Sequence, residues 1–206
     1  FTLTVNPVND PPVIEGISNQ QVDEDGVLEV FLFGSDIDGD LLTFSADADE
    51  NCEVNIIENV LTITPTPNYN GLLNITAYVS DGEFSDSTSF NVTVNPVNDA
   101  PELSSIGAQS IDEEGTFELT LSALDIDEGD ELTYDVTAGG NSDVVVVDDQ
   151  LTITPPSNYN GSIEVTVLVT DQDGLSDSEI FTLTVNPVND PPVIEGILNQ
   201  QVDEDG

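Results

Sequence analysis

The 206-residue chain has no Lys, Arg or His to set against 42 Asp and Glu, which leaves a formal charge of −42. Side-chain salt bridges are therefore excluded. Carboxylates held close together repel and oppose a compact fold, so the sequence calls for bound cations or a salty medium. Nucleic acid and anionic lipid are both gripped through Lys and Arg, and both partners are disfavoured. Catalysis has little to draw on, since paired carboxylates are the only acid–base chemistry left. Such pairs hydrolyse glycosides when they face each other across a cleft roughly 5–10 Å wide, whereas here the acidic clusters fall in turns; the chain is read as no enzyme. The single Cys52 excludes an internal disulfide and reads as a small buried residue. No apolar run reaches membrane-spanning length, so no membrane insertion is expected in this segment. Phe1 opens in the middle of a pattern instead of at a signal peptide, as in a piece cut from something longer.

What is present is a repeat. VNPVND stands at Val5 to Asp10, Val94 to Asp99 and Val185 to Asp190, with spacings of 89 and 91 residues. Residues 1–26 recur as 181–206 with one difference, Ser18 against Leu198. Acidic chains with few aromatics are often disordered, but here 37% of residues are apolar and they alternate, which points to folded modules. Leu73, Ile75, Ala77 and Val79, and equivalently Ile163, Val165, Val167 and Val169, mark half-buried strands. Runs at Leu61 to Thr64 and Leu151 to Thr154 stop at Pro65 and Pro155, and no segment keeps a helical period. About seven short strands per ~90 residues predict an all-β chain of tandem Greek-key, immunoglobulin-like β-sandwiches arranged as a rod. The expected organisation is a last strand of a preceding repeat over 1–10, modules over 11–99 and 100–190, and the start of a following repeat over 191–206. A module of that size buries a marginal core unaided, which leaves room for help from metal.

Oxygen-bearing residues recur at fixed phases. In extended chain, side chains at i and i+2 point the same way, so Asp36 with Asp38, and Asp125 with Asp127, can grip one ion. Asp81 and Asp171 end the long alternating strands, and Glu24 and Glu113 sit in the VDEDG and IDEEG turns. Six to eight oxygens in a flexible shell suit Ca2+. An aspartate pair beside a glycine is ordinarily a solvated turn, but recurrence of the whole set in both copies favours the metal. DIDGD also opens like an EF-hand loop; Val136 at the twelfth position, where the second copy would need Glu, excludes that.

The stretches SALDIDEGDELTYDV, Ser122 to Val136, and VLVTDQDGLSDSEIFTLTVNPVNDPP, Val167 to Pro192, resemble cadherin repeats. The V-N-P-V-N-D-x-P linker is similar to that of bacterial cadherin-like tandem repeats in large surface or secreted proteins of adhesin type. The resemblance implies Ca2+ at the junctions between modules, an extracellular or cell-surface location, and neighbouring modules of the same chain as partners. It assigns Glu24, Asn95, Asn98, Asp99, Asp125, Asp127 and Asp171 to the one complete junction. The preceding junction takes Asn6, Asn9, Asp10, Asp36, Asp38 and Asp81, and the following one Glu113, Asn186, Asn189 and Asp190. Two features differ from cadherins: Asn and Asp are exchanged in the linker, and TPNYNG and PSNYNG stand where cadherins carry D-R-E.

Other residues read as follows. Tyr69 and Tyr159, each entering a strand, suit a corner hydrogen bond to the backbone better than a sugar-stacking role. Phe31 and Phe33 face away from the core where the second copy has Thr120 and Ser122, forming a contact patch for a neighbouring module or chain. Asn74, Asn91 and Asn160 open weak glycosylation triplets. The functional reading is a calcium-stiffened repeat segment of a surface or fibre protein, serving adhesion or matrix. Its rivals are a module binding carbohydrate or protein directly, with homotypic chains or cell-surface glycans and proteins as partners, and a self-polymerising filament subunit using strand exchange.

Overall fold

The computed structural model describes residues 1–127, 129–194, 196, 201, 202 and 204. The chain forms two compact units, Phe1–Asn98 and Asp99–Gly206. Every element among the described residues is a strand.

The first unit carries β1 (Val13–Ile14), β2 (Gln20–Asp23), β3 (Leu28–Phe31), β4 (Gly34–Ser35), β5 (Thr43–Ala48), β6 (Cys52–Ile57), β7 (Val60–Pro65), β8 (Gly71–Ser80) and β9 (Ser85–Asn95). One sheet has the order β2-β9-β8-β5, the other β3-β7-β6, and β1 pairs with β4. All ladders are antiparallel except that of β2 with β9, which is parallel, Val22 opposite Val94. The second unit repeats this plan with β10 (Glu102–Leu103), β11 (Gln109–Asp112), β12 (Phe117–Thr120), β13 (Ala123–Leu124), β14 (Thr133–Ala138), β15 (Asp143–Val147), β16 (Gln150–Thr154), β17 (Gly161–Thr170) and β18 (Ser176–Asn186). Its sheets run β11-β18-β17-β14 and β12-β16-β15. Both units are immunoglobulin-like sandwiches, as the alternation predicts. Among the described residues each holds nine strands where about seven are expected, because two-residue pairs such as β1 with β4 are too short to leave a period in sequence.

The alternating apolar residues form the cores. Leu73, Ile75, Ala77 and Val79 of β8 are fully buried against Leu61 and Ile63 of the facing sheet, and Ile163, Val165, Val167 and Val169 do the same against Leu151 and Ile153. Burying one such side chain contributes about 1.5–3 kcal/mol. The two cores share no residue.

Phe1 to Asp10, expected as the last strand of another repeat, forms no strand, and Phe1, Leu3 and Val5 are exposed. The identical stretch Phe181 to Asn186 does form the end of β18, where β11 and β17 pair with it on either side. Alternation alone does not make a strand without neighbours to complete its ladder. Of the expected opening of a further repeat over 191–206, half lies outside the described residues.

The NYNG turns hold one end of each sandwich. Asn68 and Asn158 adopt positive φ, at 57° and 58°, a conformation Asn tolerates. The Tyr69 hydroxyl then donates to the Leu72 carbonyl at 3.3 Å, and Tyr159 to Ser162 at 3.0 Å. Gly71 follows at φ 144°, where a Cβ would lie 2.9 Å from the Tyr69 hydroxyl, so the corner requires glycine.

Candidate metal centres

Two acidic groups close by the same local logic. After β4, the Asp36 Oδ1 accepts backbone N–H bonds from Asp38 at 2.8 Å and Gly39 at 3.0 Å, curling the DIDGD segment into a turn. Gly39 takes φ 81°, which glycine adopts without strain. The turn brings one oxygen each of Asp36, Asp38 and Asp40 within 4.8 Å of one another. The Asp38 Oδ2 accepts the Asp10 N–H at 2.8 Å, and Asn9 Nδ2 donates to Asp81 Oδ2 at 3.0 Å. Asp81 Oδ1 takes the N–H groups of Glu83 and Phe84, and the bond from Phe84 is the foremost reason its carboxyl lies below the usual carboxylate range. A hollow of ≈ 310 Å³ between Pro7, Val8, Asn9, Asp38 and Asp40 opens beside the group.

The second unit repeats this. Asp125 Oδ1 accepts the Asp127 N–H at 3.0 Å, and Asp127 Oδ2 accepts the Asp99 N–H at 2.8 Å. Asp125, Asp127 and Asp130 bring one oxygen each within 4.8 Å. Asp171, only 5% exposed, takes the N–H groups of Gly174 and Leu175. Desolvation first, then the charges of Asp125, Asp127, Asp171 and Asp173, push the Asp130 carboxyl above its ordinary range.

At the opposite end of each sandwich lies the glutamate. Asn70 precedes β8 and Asp81 follows it, so the ten residues of β8 set the two sites about 33 Å apart. Glu24, 5% exposed, accepts the Val97 N–H at 2.6 Å on Oε1, while Asn70 Nδ2 approaches Oε2 at 3.4 Å. Its own N–H donates to the Asn95 carbonyl at 2.9 Å. Glu113 repeats this with the Val188 N–H and the Asn186 carbonyl. A buried carboxylate is tolerated only when such donors replace water. Asn95 Nδ2 is occupied by Asp23 and Asn186 Nδ2 by Asp112, while Asn189 Nδ2 turns to the Asp190 carbonyl. Asn98 is half-buried and Asn6 exposed, and no hydrogen bond ties Asn6 to the Asp36 group.

Asp40 and Asp130 complete these groups beyond the pairs Asp36 with Asp38 and Asp125 with Asp127. DIDGD and DIDEGD align with one extra residue in the second copy, which sets Asp40 opposite Asp130.

The chemistry of the groups fits a hard cation. Asp36 Oδ2, Asp125 Oδ2 and Asp130 Oδ2 are enclosed without a hydrogen-bond partner, a condition that opposes folding unless something replaces the missing donors. Calcium takes oxygens at 2.3–2.6 Å, so ligands on opposite sides of one ion stand about 4.6–5.2 Å apart. Three oxygens within 4.8 Å fit around such an ion. With no His and one Cys, the donor set disfavours zinc or copper.

The Asp130 shift has a readable sign. Its folded-state pKa lies above 3.8, so the stabilisation belongs to the protonated form and is lost as pH rises through the raised value. Without metal, the second unit should gain stability as pH is lowered from neutral toward that value. Asp130→Asn should raise its neutral-pH melting temperature and flatten this dependence; an unchanged pH profile in the variant would contradict the assignment.

The model of the bacterial Ig domain matches residues 9–95 and again residues 98–184. The chain belongs to the bacterial Ig domain family. Solved structures place this tandem of bacterial Ig domains near cadherins in fold. Two forms of human protocadherin-24 EC1-2 are 17% and 14% identical, each over 89% of this chain and all of that one, with TM-scores of 0.58 and 0.51. An endo-fucoidan hydrolase from glycoside hydrolase family 107 is 21% identical over 90% of this chain, at a TM-score of 0.38, and the chain spans 30% of its length. At these identities the likeness concerns the fold alone. No curated protein matches the chain. Among the described residues there is no helix long and apolar enough to cross a membrane.

Proposed function

We propose that the chain is a structural repeat segment of an extracellular surface or fibre protein, without enzymatic activity, in which calcium at the module junctions stiffens the array for adhesion or matrix formation. The observation that carries this reading is the repetition, in both units, of a three-aspartate group with buried, unpartnered oxygens in a chain that has no basic side chain. With no basic side chain in the chain, an external cation would neutralise such groups while they stay ionised. Modules over 11–99 and 100–190 then meet at a linker whose oxygens complete the coordination shell. Asp125, Asp127, Asp130 and Asp171 hold the ion from one module, and Glu24, Asn95, Asn98 and Asp99 approach it from the preceding module and the linker. The preceding junction uses Asn6, Asn9, Asp10, Asp36, Asp38, Asp40 and Asp81, and the following one Glu113, Asn186, Asn189 and Asp190.

Calcium acts here as a crosslink that removes linker freedom, and Pro7, Pro96 and Pro187 restrict the same backbone. Small-angle scattering with calcium and then with chelator tests the reading. The maximum dimension should fall and the ensemble broaden on chelation, while circular dichroism keeps its β signature. A maximum dimension indifferent to calcium would sink the proposal.

A further inference from the structure

The outer face of the β3-β7-β6 sheet differs between the two units. Phe31 pairs with Val60 and Val60 with Ile57, so these three form one cross-strand row. Phe31 is 59% and Ile57 67% exposed, and Phe33, two residues past Phe31, is 56% exposed. The corresponding row in the second unit is Thr120, Gln150 and Val147. There Thr120 and Gln150 hydrogen-bond each other across the strands, and no aromatic ring stands in the row, although Val147 is 60% exposed. The same fold is thus built without the phenylalanines, and their exposure is not a requirement of the sandwich. Aromatic residues standing out from a sheet with no core function mark a contact surface.

Charge selects the occupant. Glu29 lies in the next row of this face and Glu58 in the adjoining turn, both exposed. The chain as a whole carries no cation with which to answer them. A second copy would bring its own −42 charge against this surface and be repelled. A neutral glycan would leave the charges of Glu29 and Glu58 without a counter-charge. We propose that this face of the first unit docks a cationic polypeptide segment, an apolar anchor side chain resting on Phe31 and Phe33 while flanking Lys or Arg meet Glu29 and Glu58.

The test is fluorescence anisotropy on the full chain in chelator, so that its outcome is separate from the calcium reading. The probe is a labelled peptide with a Leu-Trp centre flanked by lysines, and a charge-matched peptide with Gly-Ser at its centre is the control. Wild type should bind the apolar-centred peptide at least about tenfold tighter than the Phe31→Thr/Phe33→Ser variant does, as expected for loss of aromatic anchors. The control peptide should bind both proteins alike. The variant places residues of the second unit at equivalent positions, and an unchanged melting temperature confirms that it folds. Equal affinity of both proteins for the apolar-centred peptide would overturn the proposal. So would Phe-dependent self-association in sedimentation, which would make the occupant a second copy, or Phe-dependent binding of neutral oligosaccharides.

Discussion

Saturating calcium should raise the melting temperature of the second unit by about 10–20 °C, and Asp125→Asn/Asp130→Asn should abolish that rise. A ligand present at a hundred times its dissociation constant, and bound only by the folded state, stabilises by about 2.7 kcal/mol. For domains of 60–100 residues each kcal/mol moves the midpoint by about 4–8 °C. Extracellular calcium modules work near 10⁻⁴–10⁻³ M, so millimolar calcium is the range to scan. The double substitution removes two of the three clustered carboxylates, including two buried oxygens that lack a partner. It should also raise the stability of the metal-free unit, since Asp130 is held above its ordinary pKa by desolvation and by its neighbours. Opposite effects with and without metal are what separate a cation site from a solvated turn. An equal midpoint rise from sodium at matched ionic strength would reduce calcium to a screening agent. Persistence of the full rise in the double variant would place the ion elsewhere.

Leu61→Ala should unfold the first unit under conditions where the second remains intact. Leu61 is fully buried, opposite Val30 and Ile56 in its sheet and in the same core as Leu73 and Ile75. Deleting a core leucine side chain costs about 2–5 kcal/mol, because the cavity relaxes only in part. Domains of this size have about 5–15 kcal/mol in all, and like-charge repulsion opposes the compact state further. The core of the second unit contains none of these residues. Calorimetry should therefore show one transition displaced downward by about 10 °C or more and the other unmoved. A single transition shifting as a whole would mean that the units fold as one body.

Some elements are written in local residue patterns and others are not. The β8 and β17 faces follow from alternation, because a strand with one buried side leaves its period in the residue types. Tyr69 and Tyr159 likewise bond backbone carbonyls three residues on, a local geometry that the NYNG spacing already contains. The Asp36 group was half visible, since i, i+2 pairing finds Asp38, but Asp40 joins only when the loop turns back on itself. Asp130 is harder still, being one residue out of step with Asp40. Phe1 to Val5 shows the opposite failure, a correct strand pattern with no ladder to enter.

The sequence by itself determined that the chain is a tandem of β-sandwiches and that its carboxylates have no internal counter-charge, since periodicity and composition are properties of residue order and type. Only the tertiary structure decided that Glu24 is buried against the backbone of Val97, 73 residues away, with Glu113 likewise against Val188. That pairing depends on β2 lying parallel to β9, and β11 to β18, a choice between sheet partners made by packing and written in no local pattern. The same packing leaves one oxygen of Asp36 and one of Asp125 occupied by the backbone and the other buried without a donor. That enclosure keeps water from supplying the missing bonds, a deficit that a bound cation would make good.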